Sequence, residues 1–181
     1  YFKLIRREKK HNPNNIADLG CGLGFTTQTL KNFYIKSSVY GYEISYDAVE
    51  YAKKNFPTCY FEQKKIEPSS NLSKNNFDLI ICQEFYPFTR SRDVEVHHQW
   101  CNFLVNNLNK GGIAIISLIS SNENSINYSF EKLKNDFSLR RFTLADPRIS
   151  SILPLYFSRL VGKISLLTWK KLGREIYLLK N

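Results

Sequence analysis

The sequence predicts an α/β protein built on a parallel sheet, and two observations carry this prediction. Short apolar runs, typical of buried strands, alternate with segments that have helical periodicity. Five such runs precede residue 118, and helices between them make the right-handed crossovers that parallel strands require. With 181 residues, 43% of them hydrophobic, the chain is long enough for one domain with a sizeable core.

The predicted elements follow one another along the chain. The strands cover 16–19, 39–42, 59–61, 77–82 and 113–117, with two weaker candidates at 139–144 and 175–179. The helices cover 25–33, 47–55, 94–108 and 127–136. Asp47 and Glu50 have capping-box spacing and predict a helix start at Asp47, while Pro57 ends that helix. Lys110-Gly111-Gly112 is predicted to separate the third helix from the fifth strand.

The net charge indicates which kinds of partner the protein could bind, and the cysteines indicate in which compartment it lies. Lys and Arg number 26 against 16 Asp and Glu, and the net charge of +10 suggests phosphate, nucleic acid or an anionic membrane surface without choosing among them. No apolar run is long enough for a transmembrane helix, and no signal peptide is visible. The four cysteines lack zinc-site spacing, so we expect no metal and a cytoplasmic protein. The absence of methionine indicates that an N-terminal segment is missing or was removed.

A glycine-rich turn between the first strand and the first helix is the most informative segment. Gly20, Gly22 and Gly24 form G-x-G-x-G, which lets the backbone turn sharply and approach a ligand. Glu43 ends the second strand, at close to the spacing of an acid that binds ribose hydroxyls. The alternatives are a purely structural turn and a dinucleotide site, but Phe25 holds the position of that motif's third glycine.

The segment DLGCGLG at 18–24 closely resembles motif I of class I S-adenosylmethionine-dependent methyltransferases. Three later segments resemble that family's motifs in the same order: YGYEIS at 40–45, FDLIICQE at 77–84 and LNKGGIAII at 108–116. The resemblance covers roughly 16–117. It implies a Rossmann-like, mostly parallel seven-stranded sheet with helices on both faces, an antiparallel seventh strand, and S-adenosylmethionine as cofactor.

The resemblance also implies roles for individual residues. The amino-acid part of the cofactor would be held by Asp18 and by the backbone of Gly20, Cys21, Gly22 and Gly24. Glu43 would bind the ribose, Ile44 would lie against the adenine, and Gln83 would lie near the methionine end. Lys65 stands where the family often has an acid that accepts the adenine amino group, and a lysine cannot accept that bond. Either Glu62 or Glu67 serves instead, or the backbone of Ile66 and packing recognise adenine, which we favour.

The loop at 83–92 is expected to face the methyl acceptor. It lacks the D/N-P-P-Y/F arrangement of nucleobase amino-methylating enzymes and the Pro-Cys pair of carbon-5 pyrimidine enzymes, so a nucleic-acid substrate is disfavoured. Its aromatic residues, together with Arg90 and Arg92, could bind an anionic acceptor. Glu84 and His97 are the candidate general bases.

The C-terminal third contains a basic amphipathic segment at 149–169. Apolar residues recur there at helical spacing, with Arg159 and Lys163 on the opposite side. Because this family usually has a tight hairpin at this place, a helical insertion at about 148–170 is predicted to roof the acceptor pocket rather than lie on a membrane. One domain then spans 1–181, with a cofactor half at 14–119 and an acceptor part at 120–181. Only 15 residues precede the first strand, so the family's covering N-terminal helices are expected to be largely absent.

The sequence therefore predicts a methyltransferase that acts on an oxygen or nitrogen of a small or medium-sized metabolite. An RNA methyltransferase is favoured only by net charge, and a lipid-linked acceptor only by the amphipathic segment. A cofactor-binding protein without catalysis is the alternative from another class. Oligomeric state is not predicted.

Overall fold

The computed structural model describes residues 2–8, 12–72, 76–118, 125–145 and 173–181. The strands in these residues are β1 Asn15–Leu19, β2 Ser38–Glu43, β3 Tyr60–Gln63, β4 Phe77–Gln83, β5 Leu108–Leu118, β6 Ser138–Ala145 and β7 Gly173–Lys180. The helices are α1 Phe2–Glu8, α2 Phe25–Phe33, α3 Tyr46–Asn55, α4 Tyr86–Thr89, α5 Val94–Asn106 and α6 Ile126–Asp136.

The seven strands form one sheet in the order β3-β2-β1-β4-β5-β7-β6. β1 to β5 pair in parallel, whereas β7 runs antiparallel to both β5 and β6. The expected mostly parallel sheet with an antiparallel seventh strand is therefore confirmed. From β1 the chain adds strands first on one side, β2 and β3, and then on the other, beginning with β4. At such a switch point the carboxyl ends of the neighbouring strands form a crevice for ligands.

Helices cover both faces of the sheet, as the apolar clusters show. One cluster contains residues of α5 and α6, such as Leu104 and Leu133, packed on Ile80 and Ile116. A second cluster contains Leu4 and Ile5 of α1 and Leu30 of α2. A strand buried on both faces needs apolar side chains in both directions, which explains the continuous apolar run of β4.

The start of α3 differs from the prediction. The N-cap is Ser45, whose side chain accepts a hydrogen bond from the backbone of Ala48, and the helix begins at Tyr46. The predicted start at Asp47 is therefore wrong, because serine two residues earlier is an equally good cap and follows directly from the end of β2. Asp47 lies in the first turn, where its negative charge interacts favourably with the positive end of the helix dipole.

A seven-residue helix precedes β1, although we expected covering helices to be largely absent. In α1, Leu4 and Ile5 are fully buried against the sheet. Glu8 ends the helix and pairs with Arg140 of β6 and with Lys180 of β7, the latter at 3.0 Å. Burial works against the charge of Glu8, but hydrogen bonds from Arg7, Lys180 and Arg140 outweigh it and lower its pKa to about 2.

The predicted separation of the third helix from the fifth strand by Lys110-Gly111-Gly112 is wrong, because α5 ends at Asn106 and β5 begins at Leu108, so the glycine pair lies inside the strand at an irregularity in its pairing. Phe77 pairs with Leu108 and Leu79 pairs with Ile113, so the register shifts between them. Gly111 has a φ of 73°, a left-handed conformation that suits glycine. The predicted helical insertion lies within 146–172, outside the described residues. None of the described helices is long and apolar enough to cross a lipid bilayer.

Candidate functional site

The turn after β1 holds three glycines in left-handed conformations. The φ angles of Gly20, Gly22 and Gly24 are 70°, 52° and 83°. The backbone N–H groups of Gly20 and Cys21 both donate to the carbonyl oxygen of Tyr42, at 2.8 and 3.1 Å. The glycine turn is therefore tied directly to the end of β2.

Gly24 and Gly22 are required for different physical reasons. A Cβ at Gly24 would lie 2.9 Å from Ala52 and from Phe61, so this position has no room for a side chain. A Cβ at Gly22 would meet nothing within 4 Å among the described residues. Gly22 is needed for its backbone angle, and its open side is free for a ligand to approach.

Glu43 joins the end of β2 to the glycine turn. One carboxylate oxygen accepts the backbone N–H of Gly22 at 3.0 Å. The other accepts the backbone N–H groups of Ile44 and Ser45, at 2.8 and 3.0 Å. The carboxylate is thus held at the edge of the sheet, where it can also accept hydrogen bonds from a ligand diol.

Asp18 lies beneath the turn and is only 1% exposed. Its carboxylate accepts a hydrogen bond from the Thr27 hydroxyl at 2.7 Å. Burial raises its pKa to about 7, and the neighbouring charge of Glu43 adds to the effect, while the Thr27 hydrogen bond opposes it. Asp18 therefore links the turn to the first helical turn of α2, and it does not line the cleft described next.

A cleft of about 410 Å³ opens at the carboxyl ends of β1, β2 and β4. Its walls are Gly20, Tyr42, Glu43, Ile44, Lys64, Lys65, Ile66, Glu84, Phe85, Tyr86, Pro87 and Trp100. The cleft is mostly apolar with a few polar groups, which is the usual composition of a small-molecule site. It brings together five of the predicted residues: Gly20, Glu43, Ile44, Ile66 and Glu84.

One end of the cleft has the composition expected for an adenine site. Ile44 is 59% exposed and Ile66 is half-buried, and both line the cleft. Lys65 is paired with Glu67 at 2.6 Å. The Lys64 ammonium lies 3.3 Å from Glu62 and donates to the carbonyl of Asn71 at 2.6 Å. Neither Glu62 nor Glu67 lines the cleft, whereas Ile66 does.

The other end of the cleft is formed by residues that follow β4. Gln83 is the last residue of that strand and pairs with Ser117 of β5. Glu84 lines the cleft with a φ of 53°, and its backbone N–H donates to the Ser117 carbonyl at 2.9 Å. Phe85 packs against the glycine turn, because a Cβ added at Gly20 would lie 3.0 Å from its ring. The rings of Phe85 and Trp100 are in an edge-to-face arrangement, with their centroids 5.1 Å apart.

His97 does not face the cleft. It is 0% exposed, and its Nε2 donates to the carbonyl of Pro87 at 2.9 Å. A carbonyl can only accept, so the neutral ring accepts the Ser129 hydroxyl at Nδ1, at 2.7 Å. Burial lowers the pKa of His97, while the Pro87 hydrogen bond opposes that effect. These contacts do not support His97 as a general base. They give it the structural role of joining α4, α5 and α6.

The expected anion-binding arginines are also not part of the cleft wall. Arg92 lies over the ring of Tyr128, 5.7 Å from its centroid, and Arg90 is exposed. Phe85 lines the cleft, as expected for an aromatic residue of the 83–92 loop, but sequence reasoning did not single out three other residues in or beside the site: Thr27, Lys64 and Trp100. Only the hydroxyl of Thr27, in the first turn after a glycine loop, gave a readable signal. The contribution of Trp100 depends on how α5 packs.

The remaining sequence expectations concern cysteine and metal. The four cysteines are free thiols and all are buried, and Cys21 is part of the glycine turn through its backbone. Burial raises the pKa of Cys21 to about 12, with the charges of Asp18 and Glu43 adding to the effect. Within the described ranges, no group of His, Cys, Asp and Glu has a metal-binding arrangement.

The fold and this site define a class. A glycine turn after β1, an acid at the end of β2, a cleft between them and β4, and an antiparallel β7 are the features of class I methyltransferases that use S-adenosylmethionine. The family model described as "Methyltransferase domain" matches residues 10–177, and the chain belongs to that family.

A curated protein matches part of this chain. The uncharacterized protein RP028 of Rickettsia prowazekii (strain Madrid E) is 30% identical over 106 residues, which are 56% of this chain and 41% of that protein. The chain thus aligns with less than half of this relative.

Two solved structures share the fold. The N-methyltransferase NodS of Bradyrhizobium japonicum WM9, in complex with S-adenosylhomocysteine, has a TM-score of 0.68 at 12% identity, and the match covers 99% of this chain and 84% of NodS. The plantazolicin methyltransferase BpumL, also in complex with S-adenosylhomocysteine, has a TM-score of 0.66 at 16% identity, and the match covers 99% of this chain and 80% of BpumL.

Proposed function

We propose that this chain transfers a methyl group from S-adenosylmethionine to an oxygen or nitrogen of a small or medium-sized metabolite. The observation that carries the proposal is the hydrogen bond from the Gly22 N–H to the Glu43 carboxylate, which connects the glycine turn to Glu43 at the edge of the cleft. Bound S-adenosylmethionine supplies an electrophilic methyl group on a sulfonium.

The residues present fit this cofactor. The carboxylate of Glu43 has the acceptor chemistry that a ribose diol needs, and the open side of Gly22 allows backbone to approach the ligand. Ile44 and Ile66 offer apolar surface for an adenine ring. Asp18 and the backbone of Gly20, Cys21 and Gly24 keep the turn in shape, and Gln83 is proposed to lie near the methionine end.

The acceptor is proposed to enter over the residues that follow β4. Positioning supplies much of the acceleration in an in-line displacement. The aromatic walls of Phe85, Tyr86 and Trp100 favour an organic acceptor. Glu84 is the candidate base that takes a proton from an acceptor hydroxyl or amine. This substrate class is supported by the names of two neighbours: NodS is an N-methyltransferase, and BpumL is a plantazolicin methyltransferase whose structure was also solved with a desmethylPZN analog.

The first test is mass spectrometry of the ligand retained on the purified protein, followed by calorimetry with S-adenosylmethionine. Binding in the micromolar range is the expected result, and no detectable binding would contradict the proposal. The second test incubates the protein with methyl-labelled cofactor and metabolite pools, in which label in a small molecule is expected.

The same experiment separates the alternative acceptors. Label in RNA, with an affinity that weakens steeply as salt rises, would indicate an RNA methyltransferase. Label in the lipid fraction would indicate a lipid-linked acceptor. Cofactor binding without label in any fraction would indicate a protein that binds the cofactor without transferring methyl groups.

A further inference from the structure

Three basic side chains converge on the single carboxylate that ends α1. Arg7 donates to the Oε1 atom of Glu8 through its Nε at 3.2 Å and through its Nη2 at 2.8 Å. Arg140 of β6 donates to Oε2, and the ammonium of Lys180 in β7 lies 3.0 Å from the same oxygen. Among the described residues, all the ion pairs of these three cations are with Glu8. We call Arg7, Glu8, Arg140 and Lys180 the basic cluster.

The basic cluster carries more positive charge than Glu8 can compensate. The pKa of Glu8 is lowered to about 2, so its carboxylate is ionised at pH 7. Three cations around one anion then leave a net charge of +2. The Glu8 side chain is only 7% exposed, whereas those of Arg7, Arg140 and Lys180 are 45%, 46% and 37% exposed. The excess positive charge therefore faces the solvent.

The two guanidinium groups of the basic cluster are each held by two contacts. Both lie over the ring of Phe142, with the Cζ atoms of Arg7 and Arg140 at 5.7 and 5.6 Å from its centroid. Because the Glu8 carboxylate holds them as well, less side-chain freedom is lost when a ligand binds. A guanidinium has five N–H donors, and the bonds to Glu8 use two on Arg7 and one on Arg140. Other donors of these groups can bind a second anion.

The basic cluster lies at the edge of the sheet opposite to the cleft. Lys180 pairs with Ile113, and Ile113 pairs with Leu79 near the start of β4. Leu79 in turn pairs with Ile16 near the start of β1. The cleft opens at the carboxyl ends of these parallel strands, and no residue of the basic cluster lines it. A ligand of the basic cluster therefore does not occupy the cleft.

We propose that the basic cluster binds the phosphate group of a small phosphate monoester. Such a group carries a charge of about −1.5 to −2 at pH 7, which matches the net charge of the basic cluster. A phosphodiester carries only one negative charge per phosphate and leaves part of that charge uncompensated. The planar guanidinium groups suit phosphate oxygens, and the Lys180 ammonium adds a further positive charge. This site is independent of the proposed methyl transfer.

The test is an NMR titration of the wild-type protein at constant ionic strength and pH 7. Methyl phosphate is the doubly charged probe, and dimethyl phosphate is the singly charged probe. The Nε–H signals of Arg7 and Arg140 should shift with methyl phosphate and reach saturation. The Kd for dimethyl phosphate should be about tenfold higher, because it has one charge fewer to interact with the net positive charge.

Variants locate the binding within the basic cluster. Arg140→Gln removes one cation and should weaken binding of methyl phosphate by about tenfold. Arg140→Lys keeps the charge and should retain more of the affinity than Arg140→Gln does. Lys134→Gln is the matched control, since it removes one exposed cation of α6 that is paired with Glu131. It changes the net charge equally and should leave the Kd unchanged. Thermal unfolding checks that each variant is folded.

Four results would overturn the inference. Without saturation at constant ionic strength, the basic cluster holds no bound phosphate. Equal affinity for the two probes would indicate a surface for phosphodiesters, such as a nucleic-acid backbone or a lipid headgroup. Equal weakening by Arg140→Gln and Lys134→Gln would mean that phosphate responds only to the net charge. An unchanged Kd in folded Arg140→Gln would exclude that side chain from binding. The comparison of the two probes on the wild-type protein decides the matter even if Arg140→Gln does not fold.

Discussion

The single residue Glu43 has two roles, because its carboxylate accepts a hydrogen bond from the glycine turn and the residue lines the cleft. We expect Glu43→Ala to weaken binding of S-adenosylmethionine by about 1.5–3 kcal/mol, the range for hydrogen bonds to a charged group. Calorimetry measures the affinity, and thermal unfolding shows whether the turn stays ordered. Unchanged affinity in a folded protein would show that the ribose is bound elsewhere.

The glycine at position 22 tests whether the turn approaches the ligand. Gly22→Val places a branched side chain at a φ of 52° and on the open side of the turn. We expect cofactor binding to be abolished, and the loss of stability to come from the strained backbone angle, about 1–3 kcal/mol, because no described atom lies within 4 Å of the new Cβ. Gly111→Val, at a φ of 73° with the same open space but remote from the cleft, is the control. It should lose similar stability and still bind the cofactor.

Asp18 makes the stability of the protein depend on pH. Its pKa rises from an ordinary value of 3.8 to about 7 on folding, so the native state binds the extra proton between these values. Stability contributed by this group is therefore present at low pH and is lost as pH rises towards 7. Asp18→Asn keeps an acceptor for Thr27, and urea unfolding should show its stability relative to wild type increasing from about pH 4 to about pH 7. A constant difference across this range would contradict the raised pKa.

Helix α1 shows how a single charge can attach an element to the sheet. Glu8 forms salt bridges with Arg140 of β6 and Lys180 of β7, and its pKa is lowered from 4.5 to about 2. The stability it contributes is present above pH 4.5 and is lost as pH falls towards 2. Glu8→Gln should cost about 1–2 kcal/mol at pH 7 and remove this acid dependence. Hydrogen exchange at Leu4 and Ile5 should accelerate first, and unchanged protection there would show that apolar packing alone holds α1.

At the scale of elements, the parts that could be predicted from sequence are those determined by local pattern. The strands and helices 25–33 and 127–136 follow from apolar periodicity and glycine placement, and the structure has them within one or two residues, except that β5 begins at Leu108 rather than at 113. The start of α3 was wrong because Ser45 and Asp47 are both adequate caps, and only the geometry after β2 decides between them. His97 failed as a base for a tertiary reason, since its partners Pro87 and Ser129 come from two other helices.

For the molecule as a whole, the net charge of +10 and the basic amphipathic segment at 149–169 raise the question of membrane attachment. We predict that this segment roofs the acceptor pocket. Arg159 and Lys163 would each contribute only about 1 kcal/mol at an anionic surface, which is too little for stable anchoring unless the apolar stripe is also inserted. Pro154 near the start of the segment further limits an unbroken helix on a membrane. Flotation with anionic liposomes should recover little protein, and less at high salt. Strong co-flotation that resists salt would require the stripe to enter the bilayer, and would make a lipid-linked molecule the first acceptor to test.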